Sequence, residues 1–596
     1  MGDPSEGGTR HGKGRDSPRW SMRDVKKHAQ QKFVSTVDRL TSFHRGSGSS
    51  NIKDILKHSG QVNVSVGPVI GKVTDCTARI LLEVGEPGEI SMQLEEESVQ
   101  NGVPNGQPAA KSKHKKKSGL IVKKSLVAMR PAIFVFENLN PETRYHVRLK
   151  GCYPTVPSSF CTFPRIAPPS LNFAIISCNK IFITEKEIPV HSDLWAHLEK
   201  MIRLNKVNMC LHLGDQIYGD GDKLLDAEAG EEPGDWSDCF KKSNSLLADF
   251  TKDQWEEHYE TVCEFYREVY RRTWRHLPTA YCLANCPNLM IYDDHEVRDN
   301  WADLAEDWNK ESSDFFIAVC AWRVNLEYQR QLHEDVNFDK LEAIDRDYHF
   351  HLIAGVAIMF IDIRGSRTFF RCEDQESSQH RYLGAQQWKD ISGVMGTGGL
   401  FEQANVLLVC TPAPLVFLDH NFTDVASNVP RLVDFKGHWS ANLHYEEQKR
   451  MIDILFAWKG ASTKRDILVL GGDVHCGGHS EIIYDRQESI RQLTTSAIAN
   501  HPLPKSAYYL LRAAGNLAAA TGRKFAFRHH DWTRSRNYGL VQIKNQPDDS
   551  RPEVTSQLIK GKFMIGIKEG KKVSNFDKTK MLGCESWLCP TGRSYR

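Results

Sequence analysis

No apolar run in these 596 residues exceeds ten: the longest, "LIAGVAIMFI" from Leu352, stops at Asp362. A bilayer-spanning helix needs about 20 apolar residues, so no transmembrane segment is expected. Net charge of one sign is also missing. The chain sets 77 Lys and Arg against 75 Asp and Glu, a formal charge of +2, and no global field points to sequence-specific nucleic acid. The opening "MGDPSEGGTRHGKGRD" lacks the apolar stretch of a secretory signal, and Glu6 stands where a myristoylation motif needs Ser or Thr. With fifteen Cys, an odd number, the expectation is reduced thiols and a cytoplasmic location. "CLANC" (Cys282–Cys286) and "CESWLC" (Cys584–Cys589) have no matching second pair, which excludes a conventional zinc finger. A glycine-rich phosphate loop and a Gly-x-Ser-x-Gly elbow are absent too.

What is present changes style along the chain. Residues 1–60 hold twelve Lys/Arg against six Asp/Glu, and read as a basic tail. Val25, Ala29, Phe33, Val37 and Leu40 align on one face of a helix within it. That face admits weak contact with an anionic membrane surface, against packing on its own protein. From 61 to 166 short alternating segments such as "TARILLEV", "ISMQLE" and "RYHVRL" predict a β-sandwich. A polar insertion at about 95–125, containing "KSKHKKK" (Lys111–Lys117), interrupts it. From 167 to 545 apolar strands alternate with long helical segments, the pattern of a layered α/β domain. In "QWEEHYETVCEFYREVYRRTW" the stripe Trp255, Tyr259, Val262, Tyr266, Val269 and Tyr270 is core. "KGKFMIGIK", within a C-terminal extension at 546–596, reads as a further strand.

Four apolar strands end in potential metal ligands. "LNFAIISCN" ends in Cys178 and Asn179, and "VNMCLHLGDQIY" in Asp215 and Tyr218. "NLMIYDDHEVRDN" ends in Asp293, Asp294 and His295, followed by Asp299 and Asn300. "DILVLGGDVHCGGH" ends in Asp473, His475 and His479. Each alone has a structural explanation, as a turn, a cap or a core thiol. Together they are harder to dismiss, because working residues of α/β sheets sit past the carboxyl ends of strands and carboxylates there are costly to bury unpaired. Thiolate and phenolate suit a ferric ion, while Asp and Asn oxygens suit harder divalent ions. An Asp shared by two metals would serve phosphoryl transfer.

At these residues the chain resembles the PhoD-like branch of the metallophosphoesterases. "SCN", "GDQIY", "DDHEV" and "GDVH" match that family's motifs in order, and "DIRGSR" and "LGAQQW" match two more. The resemblance implies a fibronectin-like β-sandwich followed by a four-layer α/β/β/α sandwich. It implies Cys178, Asp215 and Tyr218 on Fe3+, and Asp294, Asn300, Asp473 and His475 among the remaining ligands, with Ca2+ at the second site and Mn2+, Mg2+ or Zn2+ as alternatives. His295 corresponds to the family's catalytic His, and Arg364 and Arg367 are phosphate-clamp candidates. Two departures stand out: Asn179 replaces a common Gln, and Asp299 a common Asn. The expected activity is hydrolysis of phosphodiesters or phosphomonoesters, on a small molecule or lipid, by in-line attack of a metal-activated water. The alternative is a weakly catalytic scaffold that binds anionic lipid or phosphorylated partners through its basic segments.

Overall fold

The computed structural model describes residues 62–97, 120–183, 186–187, 193–221, 237–338, 344, 346–367, 382–420, 422–423, 437–484, 488–503, 505–517, 525–546 and 550–561. The tail helix, the lysine cluster and most of "KGKFMIGIK" lie outside them.

The alternating segments pair into two four-stranded sheets. One has the order β5-β2-β1-β7, from β1 (Val62–Val73), β2 (Ala78–Val84), β5 (Ala132–Phe136) and β7 (Cys152–Tyr153). The other, β4-β3-β6-β8, is built from β3 (Gly88–Glu96), β4 (Leu120–Leu126), β6 (Arg144–Lys150) and β8 (Ser159–Cys161). Alternation places Tyr145 and Val147 in the core while Arg148 faces water. β4 corrects the expected extent of the insertion. "LIVKKSL" pairs with β3 through backbone bonds, although only Leu126 is buried, so its apolar signal is weak.

Beyond residue 170 the chain forms two larger sheets. The five-stranded sheet runs β13-β12-β9-β21-β22: β9 (Ser170–Ile176), β12 (Met209–Leu213), β13 (Asn288–Ile291), β21 (Asn537–Lys544) and β22 (Glu553–Lys560). Two strands of two residues each, β10 (Phe182–Ile183) and β11 (Lys186–Glu187), pair antiparallel after β9. The seven-stranded sheet runs β14-β15-β16-β17-β19-β18-β20, from β14 (His349–Ile353), β15 (Val356–Phe360), β16 (Val406–Thr411), β17 (Asp466–Gly471), β18 (Gly477–Tyr484), β19 (Ile490–Thr494) and β20 (Phe525–Thr533).

The period of two explains the layering. Phe173, Ile175, Leu211, Leu213, Leu289 and Ile291 share one buried cluster with Ile358, Phe360, Leu408, Cys410, Leu468 and Leu470 of the second sheet. The alternate residues pack outward. Ala174, Ile176 and Cys210 meet the helices Leu194–Arg203 and Leu277–Asn285, while Met290 and Tyr292 meet Tyr259–Trp274 and Ser313–Tyr328. On the far side Met359, Val409 and Val469 pack on Gly384–Met395 and Tyr445–Gly460. The result is an α/β/β/α sandwich preceded by an all-β sandwich.

The inward stripe of the helix Tyr259–Trp274 is buried at Val262, Tyr266, Val269 and Tyr270. Its Arg271 reaches back to buried Glu83 of β2 at 2.8 Å, and Ser65 donates to the same carboxylate. Removing one partner from such a pair costs about 3–5 kcal/mol, since the other charge stays buried. The end of the fold differs from expectation. β22 pairs along its length with β21, so the sheet continues past residue 545 through "EVTSQLIK". Only Val554 of this edge strand is buried, which is why its sequence reads as loop.

Candidate metal centre

β9, β12, β13 and β17 deliver the site. β9, β12 and β13 are mutually parallel, β17 lies in the facing sheet, and the approach of Asp473 to Cys178, Asp215 and Asp293 shows that their carboxyl ends meet at one end of the sandwich. The backbone turns sharply within the segments that follow these strands. Cys178, Asp215, Asn300, Asp473 and His475 all have left-handed backbone, with φ of 55°, 55°, 58°, 66° and 47°. For residues other than glycine that conformation costs on the order of 1–3 kcal/mol each and clusters at functional sites.

Close packing also explains the Gly-Asp pairs. Gly214 has φ of 101°, and a Cβ there would sit 2.6 Å from the Cβ of Asp293. At Gly472 it would fall 2.8 Å from the Cβ of Ser177. Both glycines let one strand end press on the next. Glu296 then ties the turns together. Its carboxylate accepts the backbone N–H groups of Asp215 (3.1 Å), Gln216 (2.6 Å) and Asp293 (2.9 Å), and the amide of Gln329 (2.9 Å).

Asp215 is the hub. Its carboxylate groups with Asp294 and His295, and separately with Asp293 and Asp473; within each group the ligand atoms lie within 4.8 Å of one another. Cys178 Sγ is 3.4 Å from Asp215 Oδ2, and Tyr218 O–H donates to the same oxygen at 3.1 Å. His475 Nε2 is 3.2 Å from the Tyr218 hydroxyl. Of the residues singled out from the sequence, Cys178, Asp215, Tyr218, Asp293, Asp294, His295, Asp473 and His475 thus bring a side chain into this cluster, Arg364 lies against it, and Arg367 stands behind on Asp303. Asn300 meets the cluster through its backbone N–H, which donates to Asp294 Oδ2 at 2.6 Å.

Arg364 and Arg367 lie deeper than a phosphate clamp would. Arg364 donates to Asp293 (2.6 Å), Asp303 (3.0 Å) and the Trp301 carbonyl (3.0 Å). Arg367 bonds Asp303 and the carbonyls of Ala302 (3.0 Å) and Gly437 (2.7 Å). Both guanidinium groups are buried. Asp362, in the same motif, caps the turn by accepting the N–H groups of Arg364 and Gly365.

Several residues of the site carried no sequence signal of their own. His438 Nε2 lies 2.6 Å from Asp473 Oδ2. Asp220 Oδ1 lies 2.9 Å from His295 Nδ1. Ser496 Oγ donates to Cys178 Sγ at 3.0 Å, and Asn500 Nδ2 stands 3.3 Å from His475 Nε2. Asp220 alone was within reach, two residues past "GDQIY"; the others sit in irregular loops.

The electrostatics fit bound cations. Burial, reinforced by neighbouring carboxylates, pushes Asp215 well above the usual range, and Asp293 follows despite Arg364. Asp215 Oδ1 and Asp293 Oδ2 are buried without a hydrogen-bond partner. Burial also raises Cys178 and Tyr218, with the Asp215 charge adding to it. Protein alone leaves this donor set short of positive charge, and a cation would supply it. Burial opposes charge on His295, but Asp220, Asp294 and Asp215 outweigh it and hold the imidazole well above its ordinary value. His475 goes the other way, lowered by burial to about 4, which leaves a neutral nitrogen able to ligate.

A two-sheet α/β sandwich whose strand ends converge on a shared carboxylate is the arrangement of a hydrolytic metal site. The model of the PhoD-like phosphatase family matches residues 173–553, and the chain belongs to that family. A solved structure entitled "Structure of PhoD" shares the fold, with a TM-score of 0.54 at 13% identity over 85% of this chain and 94% of that one. A comparison with curated proteins found no match.

Proposed function

We propose that this chain is a metal-dependent phosphoesterase, acting on phosphodiesters or phosphomonoesters of a small molecule or lipid. The observation that carries the reading is the membership of Asp215 in both carboxylate groups, the position of a bridging ligand. Cys178, Asp215, Tyr218 and His475 would hold a ferric ion, and Asp294, Asn300 and Asp473 a harder ion such as Ca2+. When bound, the cations supply Lewis acidity that activates water and offsets charge on phosphoryl oxygens.

The chain's own residues do the rest. Asp220 accepts a hydrogen bond from the Nδ1–H of His295 and favours the charged imidazole, whose Nε2 proton is then available to the leaving oxygen. Arg364 and Arg367 position the loop: they hold Asp293 and Asp303 and compensate part of the cluster's negative charge. The described cysteines are all free thiols, which supports a reducing, cytoplasmic compartment.

The test is hydrolysis of bis-p-nitrophenyl phosphate and p-nitrophenyl phosphate by the purified chain and Asp215→Asn, with metal content measured on the same samples. Iron-bearing, active protein beside an inactive variant is expected. Turnover by Asp215→Asn near that of the parent would overturn the reading.

A further inference from the structure

A second constellation lies away from the metal centre, where the β-sandwich meets β14. A cavity of about 630 Å³ opens there, lined by Lys72 of β1, Arg330 and His333, His349 and His351 of β14, and the helix Gly384–Met395. Its volume is that of a small-molecule site. Phe350, Val394 and Leu400 supply apolar wall, and Arg346 and Lys389 stand at its exposed rim.

The three histidines are buried, and their tautomers follow from their bonds. His333 Nε2 accepts the N–H of Met290 at 2.9 Å, so its proton is on Nδ1. His349 Nε2 meets the carbonyl of Met290 at 2.9 Å and its Nδ1 meets His351 Nε2 at 2.7 Å. His349 therefore donates to the carbonyl and accepts from His351, which leaves His351 Nδ1 as an acceptor. Burial holds all three neutral, well below the ordinary histidine value. His333 Nδ1 and His351 Nδ1 have no hydrogen-bond partner, one a donor and the other an acceptor, each at a desolvation cost.

The charge is uneven as well. Arg330 is committed to Asp347 at 3.1 Å and Glu334 at 2.9 Å, and Asp390 takes the Tyr348 hydroxyl at 2.7 Å. Lys72 is half-buried; burial and Arg79 lower its pKa more than Glu334 restores it. A desolvated ammonium beside an unpaired N–H donor is a place for an anion.

We propose that this cavity binds a phosphate-bearing small molecule. Its phosphoryl oxygens meet Lys72, His333 Nδ1–H and the rim cations Arg346 and Lys389. A hydroxyl of the ligand donates to His351 Nδ1, and its apolar part lies on Phe350, Val394 and Leu400. Such a site is separate from the metal centre but shares a strand with it, because Met290, gripped by His333 and His349, lies three residues before Asp293.

The proposal does not depend on what the metal centre hydrolyses, so it is tested by binding. Phenyl phosphate is titrated calorimetrically into full-length Asp215→Asn protein at fixed ionic strength, with phenyl sulfate as control. Binding that prefers the phosphate is expected, weakened about tenfold or more by Lys72→Met. Lys389→Glu, on the exposed rim, should weaken it with an unchanged melting curve, which separates lost binding from lost folding. No binding, equal binding of the sulfate, or binding untouched by both substitutions would overturn the proposal.

Discussion

Asp220 Oδ1 lies 2.9 Å from His295 Nδ1 while Asp220 Oδ2 accepts the backbone N–H of Asp299 at 2.9 Å. One carboxylate thus orients the histidine and fixes the loop behind it. Asp220→Asn keeps an acceptor but weakens the charge partner, so kcat should fall about 10–100-fold with KM nearly constant. Steady-state kinetics on p-nitrophenyl esters, beside an unchanged melting temperature, checks this. A change confined to KM would mean that Asp220 shapes substrate binding instead.

Glu296→Ala removes the acceptor for three buried backbone N–H groups, those of Asp215, Gln216 and Asp293. Each orphaned donor costs about 1–3 kcal/mol, and the turns that present Asp215 and Asp293 lose their common anchor. Urea unfolding should show a loss of several kcal/mol, and metal analysis a lower occupancy. Full stability in the variant would place the anchor elsewhere.

Gly214→Ala puts a Cβ 2.6 Å from that of Asp293 on a backbone with φ of 101°. The carboxylates of Asp215 and Asp293 must then separate. Metal affinity should drop more than global stability, readable by titrating the metal-stripped variant and following its melting temperature. An affinity equal to the parent's would show that the strand ends tolerate the displacement.

The buried histidines set an acid limit on stability. Burial, with neighbouring cations such as Arg330 contributing, depresses the folded-state pKa of His333, His349 and His351. The unfolded chain takes up protons below about pH 6.5 while the folded chain does not, so stability is full above that pH and falls as pH drops further. The slope reaches up to ~1.4 kcal/mol per pH unit for each histidine. Denaturation series between pH 7.5 and 5 should show the decline, reduced in His351→Gln. Identical slopes in parent and variant would assign the acid sensitivity to other groups.

The motifs "GDQIY" and "DDHEV" could be read because chemistry there is local: a strand's apolar run, its glycine and its ligands are contiguous. The layering was legible for the same reason, since strands buried on both faces are close to continuously apolar, as "VAIMF" and the first five residues of "VLLVCT" are. Edge elements were not. β4 and β22 are held by backbone bonds to one neighbour and bury a single side chain each, so nothing in their composition marks them as strands.

By itself, then, the amino-acid sequence determined a β-sandwich followed by a layered α/β domain and the candidate ligand types at each strand end, because burial and backbone turns act over a few residues. Only the tertiary structure decided who stands beside whom. It brought His438 to Asp473 and Ser496 to Cys178, and it buried Arg364 and Arg367 against Asp293 and Asp303. Those pairings join loops far apart in the chain, and an arginine that holds a carboxylate has the same local sequence as one that holds a phosphate.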